Sequence, residues 1–383
     1  MAYWQRRYIL KQHTLASDSA TYTVDLPESN KLSALLLKLA WTNGTTNNQG
    51  RGLPAEIDKV EVIADGSFEI VSLTGWQLYK MAHFAFGRPP TQVRTQVGSA
   101  VQQVILPILF GRYIGDPEYY LDCSLFTSLE LKITYSPTIS ATVGFATGTG
   151  VLDVVGHMYM GGAPGPQMGY LKTTQKYSFT SVASGDEEIE LPRAHPYRSI
   201  MVRAFESGIA DGVDVTELKL EVNDGEFTPY VGRWVDIQQE NQESLKIVPV
   251  ECGVAHLTDA DTLETEVGTL VSIRMNTAAA FAAATDWGDD RPASVAGSLV
   301  TIAGQLNEGS GTWGAVALDT VDRAIHWEAT GIGVGHCVLI PFDLGGDMNN
   351  CLPSRDYDRV KLILTQGGAG AAVEVVLQEV LTP

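Results

Sequence analysis

The sequence predicts an all-β chain built as two tandem eight-stranded jelly rolls (β-sandwiches), and three observations lead there. The apolar runs are short and alternate with polar residues, the mark of strands buried on one face. Glycine is abundant, at 38 residues, and the turns are rich in Asn, Ser and Thr, as expected where many short strands follow one another. Most decisively, much of the first half returns in the second half in the same order.

The repeat begins with Arg7-Tyr8, answered by Lys176-Tyr177, each opening an alternating run. "DLP" at Asp25–Pro27 is answered by "ELP" at Glu190–Pro192, and "DGSF" at Asp65–Phe68 by "DGEF" at Asp224–Phe227. Asp-Gly between two apolar alternations is a strong hairpin signal, because both central positions of the tight turn need positive φ. Gly75-Trp76 stands before "QLYKMAHF" and Trp234 before "VDIQQENQ"; both read as a short helix between strands. "VILPILFGRYIGD" (Val104–Asp116) returns as "VLIPFDLGGD" (Val338–Asp347), aligning Pro107 with Pro341 and Gly111 with Gly345. "LDCSLFTSLELKIT" (Leu121–Thr134) aligns with "LPSRDYDRVKLILT" (Leu352–Thr365), and "LDVVGHMY" near Asp153 with "VEVVLQEV" near Glu374. Eight strand-like segments per copy, without β-α-β alternation, fit a jelly roll better than a parallel sheet.

The expected organisation is a first roll over residues 1–160, a linker over 161–176 containing "GGAPGPQMG", and a second roll over 177–383. From Trp76 to Leu106 is 30 residues, whereas from Trp234 to Ile340 is 106. The second roll therefore carries an insertion of about 76 residues within Glu240–Gly335, with runs that alternate well enough to form strands of their own. Loops on a rigid scaffold are where recognition is usually placed.

A net charge of −19 argues against a broad nucleic-acid surface, since phosphate binding needs Lys and Arg to displace counterions. The start runs against this trend: residues 1–17 hold Arg6, Arg7 and Lys11 with no acid, alongside Tyr3, Trp4 and Tyr8. That segment is either an ordinary first strand or an arm lying on an anionic surface. No signal peptide is recognisable, and no apolar run reaches the roughly 18–20 residues of a membrane span, so a soluble chain made without secretion is expected. The four cysteines, Cys123, Cys252, Cys337 and Cys351, are widely spaced and predict free thiols rather than a zinc site.

The sequence lacks the local signatures of phosphate-loop, dinucleotide, zinc-hydrolase and serine-nucleophile chemistry. "GRYIGDP" puts Asp116 where a phosphate loop needs its lysine, so its glycines read as a turn. "GTGVLD" and "GIGVGH" also miss the dinucleotide pattern, and no HExxH, HxH or GxSxG is present. Asp259, Asp261, Glu264 and Glu266 cluster in "TDADTLETE". Oxygen ligands of this kind suit a hard cation, but a solvated acidic loop is the favoured reading. "NGT" at Asn43 is a formal glycosylation sequon and reads as a turn. No cofactor, metal or catalytic residue is expected.

The duplicated DG-x-F hairpins, the Trp-led helix in each copy and the "LPILFGRYIGDP" strand and loop resemble the double jelly-roll major capsid proteins. These belong to tailless icosahedral, membrane-containing viruses of bacteria and archaea, in the lineage of the adenovirus hexon. The resemblance covers the whole chain. It implies a structural virion protein, made in the host cytoplasm and residing in the capsid. It also implies homotrimers forming pseudo-hexagonal capsomers, which contact neighbouring capsomers, minor capsid or penton proteins and an internal membrane, with no specific nucleic-acid binding. The insertion would be an outward tower. The start, with Trp4, Arg6, Arg7 and Lys11, would face inward, although no amphipathic helix precedes the first strand here. Two other readings remain open. One is a carbohydrate-binding or host-attachment protein using Trp287, Trp313 and Trp327. The other is a double jelly-roll glycan amidase, which would normally carry a leader and disulfides.

Overall fold

The structure, a computed structural model, describes residues 3–48, 50, 52–257, 262–277, 294–296, 299–301 and 323–382. The first unit runs through β1 (Tyr3–Leu15), β2 (Ala20–Asp25), β3 (Lys31–Thr42), β4 (Ile57–Ala64) and β5 (Phe68–Leu73). Helix α1 (Gly75–Phe86) follows, then the short β6 (Gln92–Val93), β7 (Val101–Leu109), the short β8 (Leu121–Asp122), β9 (Leu129–Tyr135) and β10 (Gly150–Met160). One sheet has the order β1-β10-β3-β7 and the other β2-β9-β4-β5. Apart from the β4–β5 hairpin, neighbours along these orders are far apart in sequence, as jelly-roll connectivity requires.

The second unit repeats the order. It contains β11 (Tyr170–Thr180), β12 (Gly185–Glu190), β13 (Tyr197–Phe205), β14 (Val215–Val222), β15 (Phe227–Arg233) and helix α2 (Trp234–Ser244). The insertion then contributes β16 (Val250–Leu257), β17 (Thr262–Glu264), β18 (Val267–Thr277), β19 (Ser294–Ala296), β20 (Leu299–Thr301) and β21 (Arg323–Val334). The roll closes with β22 (Cys337–Pro341), β23 (Val360–Gln366) and β24 (Ala372–Leu381). Its sheets are β11-β24-β13-β22 and β12-β23-β14-β15, strand for strand the topology of the first unit. Within the insertion, β16-β21-β18 form one small sheet and β17-β20-β19 another.

The two rolls share a sheet. β5 pairs in parallel with β11, Val71 opposite Thr173 and Ser72 opposite Thr174, so one eight-stranded sheet runs from β2 to β22. Its second half is buried on both faces: Met201, Leu339 and Val376 pack into the first core, while Val202, Ile340 and Leu377 pack into the second. Helix α1 starts with a full capping box, in which Gln77 N–H donates to the Thr74 hydroxyl and the Gln77 side chain accepts from the Thr74 N–H. It ends on Gly87 in the left-handed region. The hairpin joining β4 and β5 has Asp65 and Gly66 both at positive φ, and the one joining β14 and β15 has Asn223, Asp224 and Gly225 there.

Because β5 and β11 are parallel, both rolls stand the same way up. Tyr3 pairs with Met160, and Tyr170 with Leu381. The chain start, the connection between rolls and the end of β24 therefore lie at one end. The insertion leaves α2 and returns to β22 at the opposite end.

Three expectations need adjustment. Tyr170–Lys176, assigned to the linker, is already strand β11, because its backbone pairs with both β24 and β5. Glu240–Ser244, counted in the insertion, completes α2. The alignments of Tyr8 with Tyr177 and of Pro107 with Pro341 are each two residues out of structural register. A bulge leaves Ile9 unpaired in β1 and Lys176 unpaired in β11; Leu109 and Pro341 hold equivalent places opposite Ala34 and Ser199.

Candidate functional site

The feature richest in chemistry is the seam where the insertion meets the first roll. "QLYKMAHF" sets Lys80 on the buried side of α1, where it is fully sealed from solvent. Its Nζ lies 2.9 Å from Glu266 Oε2 and donates to the Glu266 carbonyl at 2.9 Å. It also sits 5.3 Å from the centroid of the Trp76 ring. Beside it, Arg94 Nη1 pairs with Glu251 Oε1 at 2.7 Å, both side chains nearly inaccessible, and Glu251 Oε2 accepts the Glu266 N–H at 2.7 Å. Gln92 donates to both the Tyr79 hydroxyl and Glu251. Gln96 N–H donates to the Val254 carbonyl and Val254 N–H to that of Arg94, so backbone and buried charge fasten the insertion together. Gly253 allows this approach: a Cβ there would stand 2.9 Å from the Arg94 carbonyl oxygen.

His83, one turn beyond Lys80, is buried with its Nε2–H donating to the Val248 carbonyl. Burial first, then the nearby Lys80 charge, pushes its pKa down to about 3, so the ring is neutral at physiological pH. Ion pairs of this burial hold geometry, and severing one partner is costly. Sequence reading missed all of this, although a lysine inside an apolar helical run was a visible signal. Of the acidic cluster, Glu266 is part of this buried network, while Asp259 and Asp261 lie outside the described residues. Trp327 is buried with the Arg94 guanidinium 5.3 Å from its ring centroid; Trp287 and Trp313 lie outside the described residues.

Asn43, read from the sequence only as a turn, has a wider structural part. Its amide is buried, donates to the Thr95 and Val97 carbonyls, and accepts from Asn48 and Gln102, knitting the loops at the insertion end of the first roll.

At the other end, Trp4, Arg6, Arg7 and Lys11 all lie on β1; Trp4, Arg6 and Arg7 pair with Tyr159, His157 and Gly156 of β10, and Lys11 lies in the irregular stretch between Leu10 and His13. Trp4 stacks edge-on against Tyr159, with ring centroids 5.2 Å apart. Arg6 and Lys11 both lie over the exposed Tyr8 ring, at 4.9 and 5.6 Å. The neighbouring loop after β7 is closed on itself. Asp116 accepts from Arg112 Nε and Nη2 and from the backbone N–H groups of Arg112, Glu118 and Tyr119. The anion that a glycine loop might recruit is thus supplied by its own carboxylate, and Gly111 is needed because a Cβ there would meet the Tyr119 carbonyl at 2.2 Å.

A cleft of about 500 Å³ separates the rolls, walled by Leu78, Met81 and Phe84 of α1, Pro107 of β7, and Leu339 and Pro341 of β22. Its polar groups are engaged with one another: Arg198 binds Asp343 at 2.7 Å and Gln378 at 2.9 Å, and Gln378 donates to Thr173. The four cysteines are free thiols, and burial raises the pKa of Cys123, Cys337 and Cys351. Among the described residues no cluster of His, Cys, Asp and Glu is arranged to hold a metal ion, and no helix is long and apolar enough to cross a membrane.

The chain shares its fold with viral major capsid proteins. It superposes on the crystal structure of the major capsid protein of Sulfolobus turreted icosahedral virus with a TM-score of 0.59 and 11% identity, covering 100% of this chain and 97% of that one. For the major capsid protein of bacteriophage PM2 the values are 0.52, 12%, 100% and 98%. For PBCV-1 VP54, fitted into a reconstruction of the virophage Sputnik, they are 0.51, 9%, 99% and 94%. No family model and no curated protein matches the sequence.

Proposed function

We propose that this chain is a major capsid protein, a structural virion component whose trimers form the pseudo-hexagonal capsomers of an icosahedral shell. The observation that carries the reading is the pair of like-oriented rolls sharing one sheet, with the insertion at one end and both chain ends at the other. Two similar wall elements per chain make six in a trimer, a shape that tiles a hexagonal lattice, and closed symmetry shelters sheet edges. In this reading the insertion faces outward, and the end holding Trp4, Arg6 and Arg7 faces inward, toward minor capsid proteins or an internal lipid surface. The chain assembles with itself and with neighbouring capsomers and does no chemistry.

Light scattering tests the reading. The 41.3 kDa chain is expected to run as a trimer of about 124 kDa and to appear as hexagonal particles by negative-stain microscopy. A monomer at micromolar concentration overturns it. The inward role of the basic strand is tested separately by replacing Arg6, Arg7 and Lys11 with Ser, which should leave trimers intact and lower the yield of assembled shells; an unchanged yield rejects that role.

A further inference from the structure

Unpaired strand edges invite association, and folded chains usually shorten, charge or cover them. Most edges here are managed in those ways. The outer side of β7 is met by β6 and by Thr91, and that of β22 by Asn241, whose side chain bonds the backbone of Leu339 in both directions at 2.8 Å. β2 and β12 are six residues each, and β12 reads GDEEIE, with four acids. The edge of β5 is covered by β11. Among the described residues of the two rolls, two edges remain open: β1, thirteen residues long with Tyr3 and Tyr8 exposed, and β15, with Phe227 and Val231 more than half exposed.

These two edges are the structural counterparts of the pair that joins the rolls. β1 occupies in the first roll the place of β11 in the second, and β15 the place of β5. The shared bulge at Ile9 and Lys176 fixes the register of the first correspondence, putting Arg6 and Arg7 where Thr173 and Thr174 stand. Leu220 opposite Tyr230 matches Val62 opposite Val71, which puts Tyr230 and Val231 where Val71 and Ser72 stand. We propose that β15 of one copy pairs in parallel with β1 of the next, repeating between chains the β5–β11 junction found within one, with Arg6 opposite Tyr230 and Arg7 opposite Val231.

The side chains flanking that junction are complementary. Within the chain, Gln77 at the start of α1 donates to Gln175 of β11 at 2.7 Å. The corresponding positions at the outer edges are Val235 and Tyr8, both exposed and both apolar in body. A polar contact inside one chain is thus matched by an apolar contact between chains. The partner is therefore a second copy of this chain, taken up by strand addition. The contact is head-to-tail, so a given rotation either closes a ring or runs on as a filament; ring closure at three copies rests on the capsomer reading above.

The test is a cysteine pair. Arg7→Cys with Val231→Cys, on a Cys252→Ser background to remove the exposed thiol, places two thiols on directly opposed strands, within the 4.4–6.8 Å Cα separation a disulfide requires. Mild oxidation should yield covalent dimers and trimers from the double variant and none from either single variant. A native particle of trimer mass that fails to cross-link overturns the junction and leaves the capsomer reading standing; a monomer overturns both. A ladder extending beyond three copies supports the junction and removes the closed trimer. As an independent check, Val231→Lys sets a cation against Arg6 and Arg7 on an exposed site. It should leave the monomer fold intact by circular dichroism and weaken association at least tenfold; unchanged association overturns the proposal.

Discussion

Lys80 of the first roll and Glu266 of the insertion form an ion pair at 2.9 Å with both side chains sealed from water. The pair joins segments 186 residues apart, so it reports directly on how the insertion is seated. Removing one partner strands a buried charge, at a cost of about 3–5 kcal/mol, whereas replacing both by apolar groups is far milder. Lys80→Met should therefore destabilise the protein by that amount in chemical denaturation, and Lys80→Met with Glu266→Met should recover most of the loss. Equal destabilisation by the single and double variants would show that the pair does not act as a unit.

His83 supplies a pH dependence at the same seam. Its folded-state pKa is pushed down to about 3 from an ordinary value near 6.5. The unfolded chain therefore binds a proton that the folded chain refuses, and stability falls as pH drops from about 6.5 toward 3. The slope in that window is about 1.4 kcal/mol per pH unit from this group alone. His83→Gln retains a donor for the Val248 carbonyl and removes the titration. The difference in unfolding free energy between the two proteins should narrow by about 2 kcal/mol between pH 6.5 and 5; a constant difference would mean that His83 titrates normally.

The duplication, the two helices and the hairpins were legible because each rests on a local signal: a Trp before a helical run, an Asp-Gly turn, a two-residue alternation. The registers of β1 against β11 and of β7 against β22 were not. A slip of one residue would turn every side chain to the wrong face, but a slip of two preserves the pattern and leaves no trace in hydropathy. Bulges at Ile9 and Lys176, which carry no sequence signature, settle the first of them. "SIMVRA" and "VEVVLQ" alternate poorly because β13 and β24 are buried on both faces, the pattern of a central strand rather than a half-exposed one. The seam around Lys80 and Glu266 was illegible for another reason. Its members come from α1, the segment after it and the insertion, and only the folded chain brings them together.

The loop after β7 yields the remaining prediction. Burial alone would raise the Asp116 pKa, but the Arg112 side chain and the N–H groups of Glu118, Arg112 and Tyr119 outweigh it and hold the carboxyl below its ordinary value of 3.8. A depressed carboxylate contributes stability that is present above the unfolded pKa and is lost as pH falls through the folded one. Asp116→Asn keeps the shape of the side chain but removes the charge that organises five donors, so it should lower the melting temperature at neutral pH. The gap from the unsubstituted protein should stay constant down to about pH 4 and close below it, as the native carboxylate takes up its proton. Melting temperatures at pH 7, 5, 4 and 3 check this, and a gap still fully open at the lowest pH would mean that the charge of Asp116 does not hold the loop. Because the loop adjoins the Trp4 end of β1, with Gly115 against the Trp4 ring, the same substitution should raise hydrogen exchange at the start of β1 and leave the insertion end unchanged.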